Sequence, residues 1–140
     1  MSKVITGGCA CGATRYEFST EPVYMGNCHC RECQRATGSA HATVVAVSVT
    51  AFTVTTGTPK FRDMTSDSGS QMRRGFCVEC GSPLFVLNSS LPDVVILYAG
   101  NIDDPSWVRP SLDIFTARAQ PWDYMDPAIP KVSGMPSFSS

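Results

Sequence analysis

The 140-residue sequence lacks the features that would carry it to a membrane or a nucleic acid. Its longest apolar run, Val94 to Ala99, is far shorter than the roughly 20 residues that span a bilayer. The N-terminal MSKVITGG lacks the apolar stretch of a secretory signal, so a cytoplasmic protein is expected. No Lys/Arg run exceeds the pair Arg73-Arg74, and eleven basic against twelve acidic residues leave a formal charge of -1. Nucleic-acid binding, which rests on neutralising phosphates, is therefore disfavoured. Helix is also scarce: no window keeps apolar residues at helical spacing for long, and only short helices are expected, at Arg31–Thr37 and near Asp103–Trp107.

The chain instead holds short segments rich in β-branched and aromatic residues, broken by Gly, Pro, Asn and Ser. This is the pattern of an all-β, antiparallel domain. Strands are expected at Ala13–Phe18, Val23–Asn27, Ala42–Val49, Phe52–Thr56, Pro59–Asp63, Gln71–Phe76, Leu84–Leu87, Val94–Gly100 and Leu112–Thr116. The 43% apolar share is enough for one core of moderate size. A single domain over residues 1–130 is expected, with residues 131–140 as a tail. The segment from Pro121 should pack through Trp122 and Tyr124 and then fray, and SDSGS at Ser66–Ser70 should be a mobile loop tip between strands.

Seven cysteines are the chemical signal. An odd count without an export signal argues against a disulfide framework, and closure across Cys9-Ala10-Cys11 would be strained. Metal binding is the better reading. The thiols fall into three groups: Cys9-Ala-Cys11-Gly12, Cys28-His-Cys30-Arg-Glu-Cys33 and Cys77-Val-Glu-Cys80-Gly81. In extended backbone, residues i and i+2 share a face, so Cys9 and Cys11 present their sulfurs together, as do Cys28 and Cys30. The spacing of Cys77 and Cys80 suits a tight turn around one ion. Two groups end in Cys-Gly, where glycine permits a positive φ and is expected to bring an N–H toward the preceding thiolate. Cys9, Cys11, Cys77 and Cys80 thus form the natural quartet for a closed zinc site.

Cys28, Cys30 and Cys33 remain as a trio, and three protein ligands with one vacancy distinguish catalytic zinc from structural zinc. Two alternatives stay open: His41 closes the site as Cys3His, or the three thiols carry no metal. His29, between Cys28 and Cys30, should face away from them, toward a pocket wall or the surface. Arg73-Arg74 is either a carboxylate clamp for a substrate or, by preference, ordinary solvated strand charge. Ser39 is a turn residue or a ligand contact. A redox role for Cys77–Cys80 lacks the βαβ context it would need.

The segments GGCACGATRYEF, NCHCRECQRATGSA, RGFCVECGSPLF, YAGNIDDP, RPSLDIF and PWDYM resemble the glutathione-dependent formaldehyde-activating enzyme family, also called the centromere protein V family. The resemblance runs from Gly7 to about Pro130, and it departs at Asp113, where the family often carries His. It implies an Mss4-like, zinc-stabilised β fold (a β-tent) with two zinc ions. One would be structural, on Cys9, Cys11, Cys77 and Cys80, and one catalytic, on Cys28, Cys30 and Cys33. The implied activity is that of a carbon–sulfur lyase of the S-(hydroxymethyl)glutathione synthase type, with glutathione or a similar small thiol and an aldehyde as partners. The competing expectation is a zinc-stabilised protein-binding module with both metals structural, which requires a filled fourth position, by His41, and no adjacent pocket. A third possibility is an enzyme acting on another small thiol adduct.

Overall fold

The computed structural model describes residues 3–66 and 68–136. Ten strands and one α-helix follow in the order β1 (Ile5–Gly8), β2 (Arg15–Phe18), β3 (Tyr24–Cys28), α1 (Arg31–Thr37), β4 (Ala42–Ser48), β5 (Phe52–Thr56), β6 (Lys60–Thr65), β7 (Gln71–Phe76), β8 (Pro83–Asn88), β9 (Val94–Tyr98) and β10 (Asp113–Ile114). They form a three-stranded sheet, β1-β2-β5, and a seven-stranded sheet, β10-β3-β4-β9-β8-β7-β6. Pairing is antiparallel except where β10 runs parallel to β3, setting Ile114 beside Cys28. The mostly β class agrees with expectation. None of the helices is long and apolar enough to cross a membrane.

β4 explains how the two sheets and the site share one scaffold. Its sequence, ATVVAVS, is nearly continuous apolar residue rather than alternating, as expected of a strand covered on both faces. Val45 and Val47 turn toward the small sheet and join Ile5, Tyr16, Phe18, Val95 and Leu97 in the main core. Val44 turns the other way, into a second cluster with Cys28, Val86, Tyr98 and Ile114. β9 alternates in the same sense, with Val95 and Leu97 on one face and Ile96 and Tyr98 on the other.

Several expectations required correction. Asp103–Trp107 is a turn, not a helix: the Asp104 carboxylate accepts from the Ser106 backbone N–H and hydroxyl, and Val108 N–H donates to the Pro105 carbonyl. The strand β1 had no counterpart among the expected strands, because two of its four residues are glycines. Gly7 belongs there for lack of space: a Cβ would lie 2.5 Å from the Tyr16 hydroxyl oxygen. Trp122 and Tyr124 do not pack; they are 69% and 81% exposed. The residue between them, Asp123, is the one whose side chain is buried.

Ser66 and Ser70 flank the β6–β7 turn through a backbone hydrogen bond of 2.9 Å, while Asp67 lies outside the described residues. The segment after Pro130 runs along β10. Val132 N–H donates to the Asp113 carbonyl, and Phe115 N–H donates to the Gly134 carbonyl. The expected fraying of the last residues, 137–140, lies outside the described part of the chain.

Candidate metal and substrate site

The four outer cysteines converge. Cys9 and Cys11 follow β1, Cys77 and Cys80 follow β7, and their sulfurs all lie within 4.8 Å of one another. Sγ of Cys11 is 3.6 Å from that of Cys9 and 3.8 Å from that of Cys77. A tetrahedral ion with Zn–S arms of about 2.3 Å requires sulfur separations of roughly 3.8 Å, so the donor set fits zinc. Gly12 and Gly81 have φ of 81° and 76°, as Cys-Gly required. Their N–H groups do not reach the preceding thiolates, however; they close tight turns on the carbonyls of Cys9 and Cys77. The Thr14 N–H does reach a sulfur, 3.2 Å from Cys9 Sγ. The hydroxyl of Ser82 lies 3.2 Å from Cys80 Sγ, and its hydrogen bond lowers that thiol to about 5, which favours the thiolate.

The trio forms a second group with sulfurs within the same mutual distance. Cys28 ends β3, and Cys30 is the N-cap of α1, with extended φ and ψ of -65° and 154°. Its sulfur accepts from the Cys33 N–H at 3.3 Å. One helical turn then returns Cys33 to the same side. Gly38 ends the helix in the left-handed conformation, with its N–H on the Gln34 carbonyl. Hydrogen bonds from the Cys28 and Cys33 thiols, aided by the Cys33 N–H and the charge of Arg74, lower the Cys30 thiol. Cys28 is pushed up by its hydrogen bonds to Cys30 and Cys33 and by burial. One thiol of the trio is thus favoured as thiolate while its neighbours are held protonated, and a divalent cation is what would let all three ionise.

No histidine or carboxylate joins the trio among the described residues. His41 lies elsewhere, grouped with His29 and Asp123. His29 faces away from Cys28 and Cys30 as expected, but it is completely buried, not at the surface. Its Nδ1 is 2.5 Å from Asp123 Oδ2, and its Nε2 is 3.1 Å from Asp113 Oδ1. Asp113 also accepts from Asn27 Nδ2 at 3.0 Å and lies 3.4 Å from Lys131 Nζ. Burial would push the Asp113 carboxyl up, but these hydrogen bonds outweigh it and hold the group below its ordinary value.

Beside the trio opens a cavity of about 370 Å³. Its walls are the face of the large sheet that carries Val44, Val86, Ile96 and Tyr98, closed by Met64, Met72 and Phe115. Arg74 is part of it. The pair Arg73-Arg74 divides by strand alternation: Arg73 points outward to Asp63 at 2.8 Å and covers the Phe61 ring. Arg74, only 6% exposed, points inward, donating from Nη1 to the Tyr98 hydroxyl at 2.8 Å. The expectation of solvated charge thus holds for Arg73 alone. Sequence reasoning assigned no role to Tyr98 or Asp123, although both lie in the segments YAGNIDDP and PWDYM; the shared alternation of Met72 and Arg74 was the signal for Arg74. Ser39 is exposed and only caps the end of the helix on Thr37 Oγ1.

The model of the glutathione-dependent formaldehyde-activating enzyme family matches residues 4–118. The chain belongs to that family. Among solved structures, a crystal structure of a Rhodobacter sphaeroides protein is similar in fold, with a TM-score of 0.59 and 19% identity over 75% of this chain and 91% of that one. No curated protein matches the chain. For this member of the formaldehyde-activating family, both cysteine groups could hold metal ions, and the trio faces a cavity.

Proposed function

We propose that the chain is a zinc-dependent enzyme that joins a small thiol to formaldehyde or a related aldehyde at Cys28, Cys30 and Cys33. Cys9, Cys11, Cys77 and Cys80 would hold a second, structural zinc. The observation that carries the reading is the trio of clustered sulfurs beside a cavity, with no further protein donor in the group among the described residues. A zinc ion on the trio would supply ionisation of an incoming thiol at neutral pH.

The protein's own groups then divide the work. Arg74, buried next to Cys30 and Cys33, offsets negative charge that three thiolates and a fourth sulfur would accumulate in an apolar cavity. In the addition, the S–H bond of the thiol breaks, sulfur forms a bond to the carbonyl carbon as the C=O π bond opens, and the oxygen takes up one proton in place of the one the thiol released, so none is gained or lost overall. The Tyr98 hydroxyl lines the cavity and accepts from Arg74, leaving its own O–H to donate. Burial pushes Tyr98 up to about 12, so it keeps that proton at neutral pH.

Magnitudes rank these effects. Complete ionisation of a thiol of pKa near 8.5 gains roughly 30-fold at pH 7, about 2 kcal/mol, and falling nucleophilicity takes some of that back. Fixing two reactants together can contribute about 7–11 kcal/mol. Positioning in the cavity is therefore the larger share.

The test is exchange NMR of thiol–formaldehyde adduct formation with glutathione and with an alkanethiol. Zinc-loaded wild-type protein should accelerate exchange with at least one of them and Cys30→Ala with neither; equal rates for the two proteins would remove the proposal.

A further inference from the structure

Resting on that reading of the trio, we infer that the cavity is a subsite for a hydrocarbon tail, so that the favoured thiol is a small apolar one and not glutathione. The inward face of the large sheet presents Val44, Ala46, Val86, Val94 and Ile96 in succession, and Ile114 closes the side next to Cys28. Apart from the cysteines, only Arg74 and Glu32 bring ionisable charge to the lining among the described residues. Arg74 is already engaged with Tyr98 through Nη1, with the Met64 sulfur through Nε, and with the charge of Cys30 and Cys33. Glu32 is paired with Arg62 at 3.4 Å. The Asn88 side-chain oxygen is taken by the Ser90 N–H.

Glutathione carries two carboxylates and an ammonium group. Inside this cavity the two charged side chains among the described lining residues are already engaged, and an unpaired buried charge is strongly unfavourable. A hydrocarbon tail has no such penalty and gains with every group it removes from water. The flexible thioethers of Met64 and Met72 lie on the wall, where they can adapt to tails of different shape. The volume, about 370 Å³, is at the small end for ligand pockets, in keeping with a compact occupant.

The experiment is isothermal titration of the zinc-loaded protein with the series ethanethiol to hexanethiol, with hexanol and with glutathione. The association constant should rise about fourfold for each added methylene, and hexanethiol should bind more tightly than glutathione. A flat series, or tighter binding of glutathione than of hexanethiol, overturns the inference. If the series rises but hexanol matches hexanethiol, the tail subsite stands and the thiol reading of the trio fails instead.

Discussion

Nδ1 of His41 lies 3.4 Å from Oδ1 of Asp123, in a group with His29 that excludes all three cysteines of the central trio. The imidazole that would have completed a Cys3His site is thus held on another side of the β3–α1 connection. His41 Nδ1 is buried facing the Asp123 carboxylate, so the ring is turned to that group and not to the sulfur site. His41→Ala should retain the zinc content of the wild type, two ions per chain by elemental analysis after gel filtration. Loss of one ion would restore His41 as a ligand.

The two cysteine groups should respond differently to substitution. Cys9 and Cys77 are buried just after β1 and β7, where an ion would tie together segments distant in sequence. Zinc binding in small folded sites contributes about 10–16 kcal/mol, comparable to or larger than the whole net stability of a domain. Cys9→Ala should therefore unfold or aggregate. Cys30→Ala should lose one zinc yet keep its circular dichroism spectrum, since α1 and the β3 end are held by backbone and by Gln34, which donates to the His29 and Arg118 carbonyls. An unfolded Cys30→Ala protein would mark the trio as structural.

Arg74→Met keeps the length of an apolar side chain but removes the one guanidinium that lines the cavity among the described residues. A neighbouring positive charge favours an ionised group by about one to three pKa units, so loss of the Arg74 charge should lower affinity for the thiolate at least about tenfold. Titration calorimetry with one alkanethiol checks this, and an unchanged affinity would place Arg74 outside thiol binding. Arg73→Met, on the outward face of β7, is the control that should leave affinity intact.

Acid stability should depend on Asp113. Its folded pKa is depressed, so its stabilising contribution is present above the unfolded value near 3.9 and is lost as pH falls through the lower folded value. Asp113→Asn should be less stable than wild type at neutral pH, and the gap in melting temperature should close as pH falls below about 4. A gap that does not change with pH would show that Asp113 contributes through packing alone.

Strand and turn chemistry made much of this legible in advance. Gln71–Phe76, Phe52–Thr56 and the helix Arg31–Thr37 are where local pattern placed them; the β-branched run Thr53 to Thr56 and the helix-ending Gly38 are signals that act over a few residues. The cysteine partition was legible for the same reason: extended backbone pairs i with i+2, and Gly12 and Gly81 permit tight turns. What was hidden depends on contacts distant in sequence. Asp123 and His29 are far apart along the chain, and nothing local distinguishes a buried Asp123 from its exposed neighbours Trp122 and Tyr124. Arg74 was misjudged together with Arg73 because the pair was read as one unit, although adjacent strand residues point to opposite faces.

The most direct test of the central proposal is zinc X-ray absorption of the resting protein and of the protein with an added alkanethiol. Averaged over one closed and one three-sulfur site, resting zinc should show about 3.5 sulfurs, no imidazole scattering, and a rise to about 4 sulfurs when the thiol is added. Imidazole scattering at rest, or a sulfur number unmoved by thiol, would contradict the account.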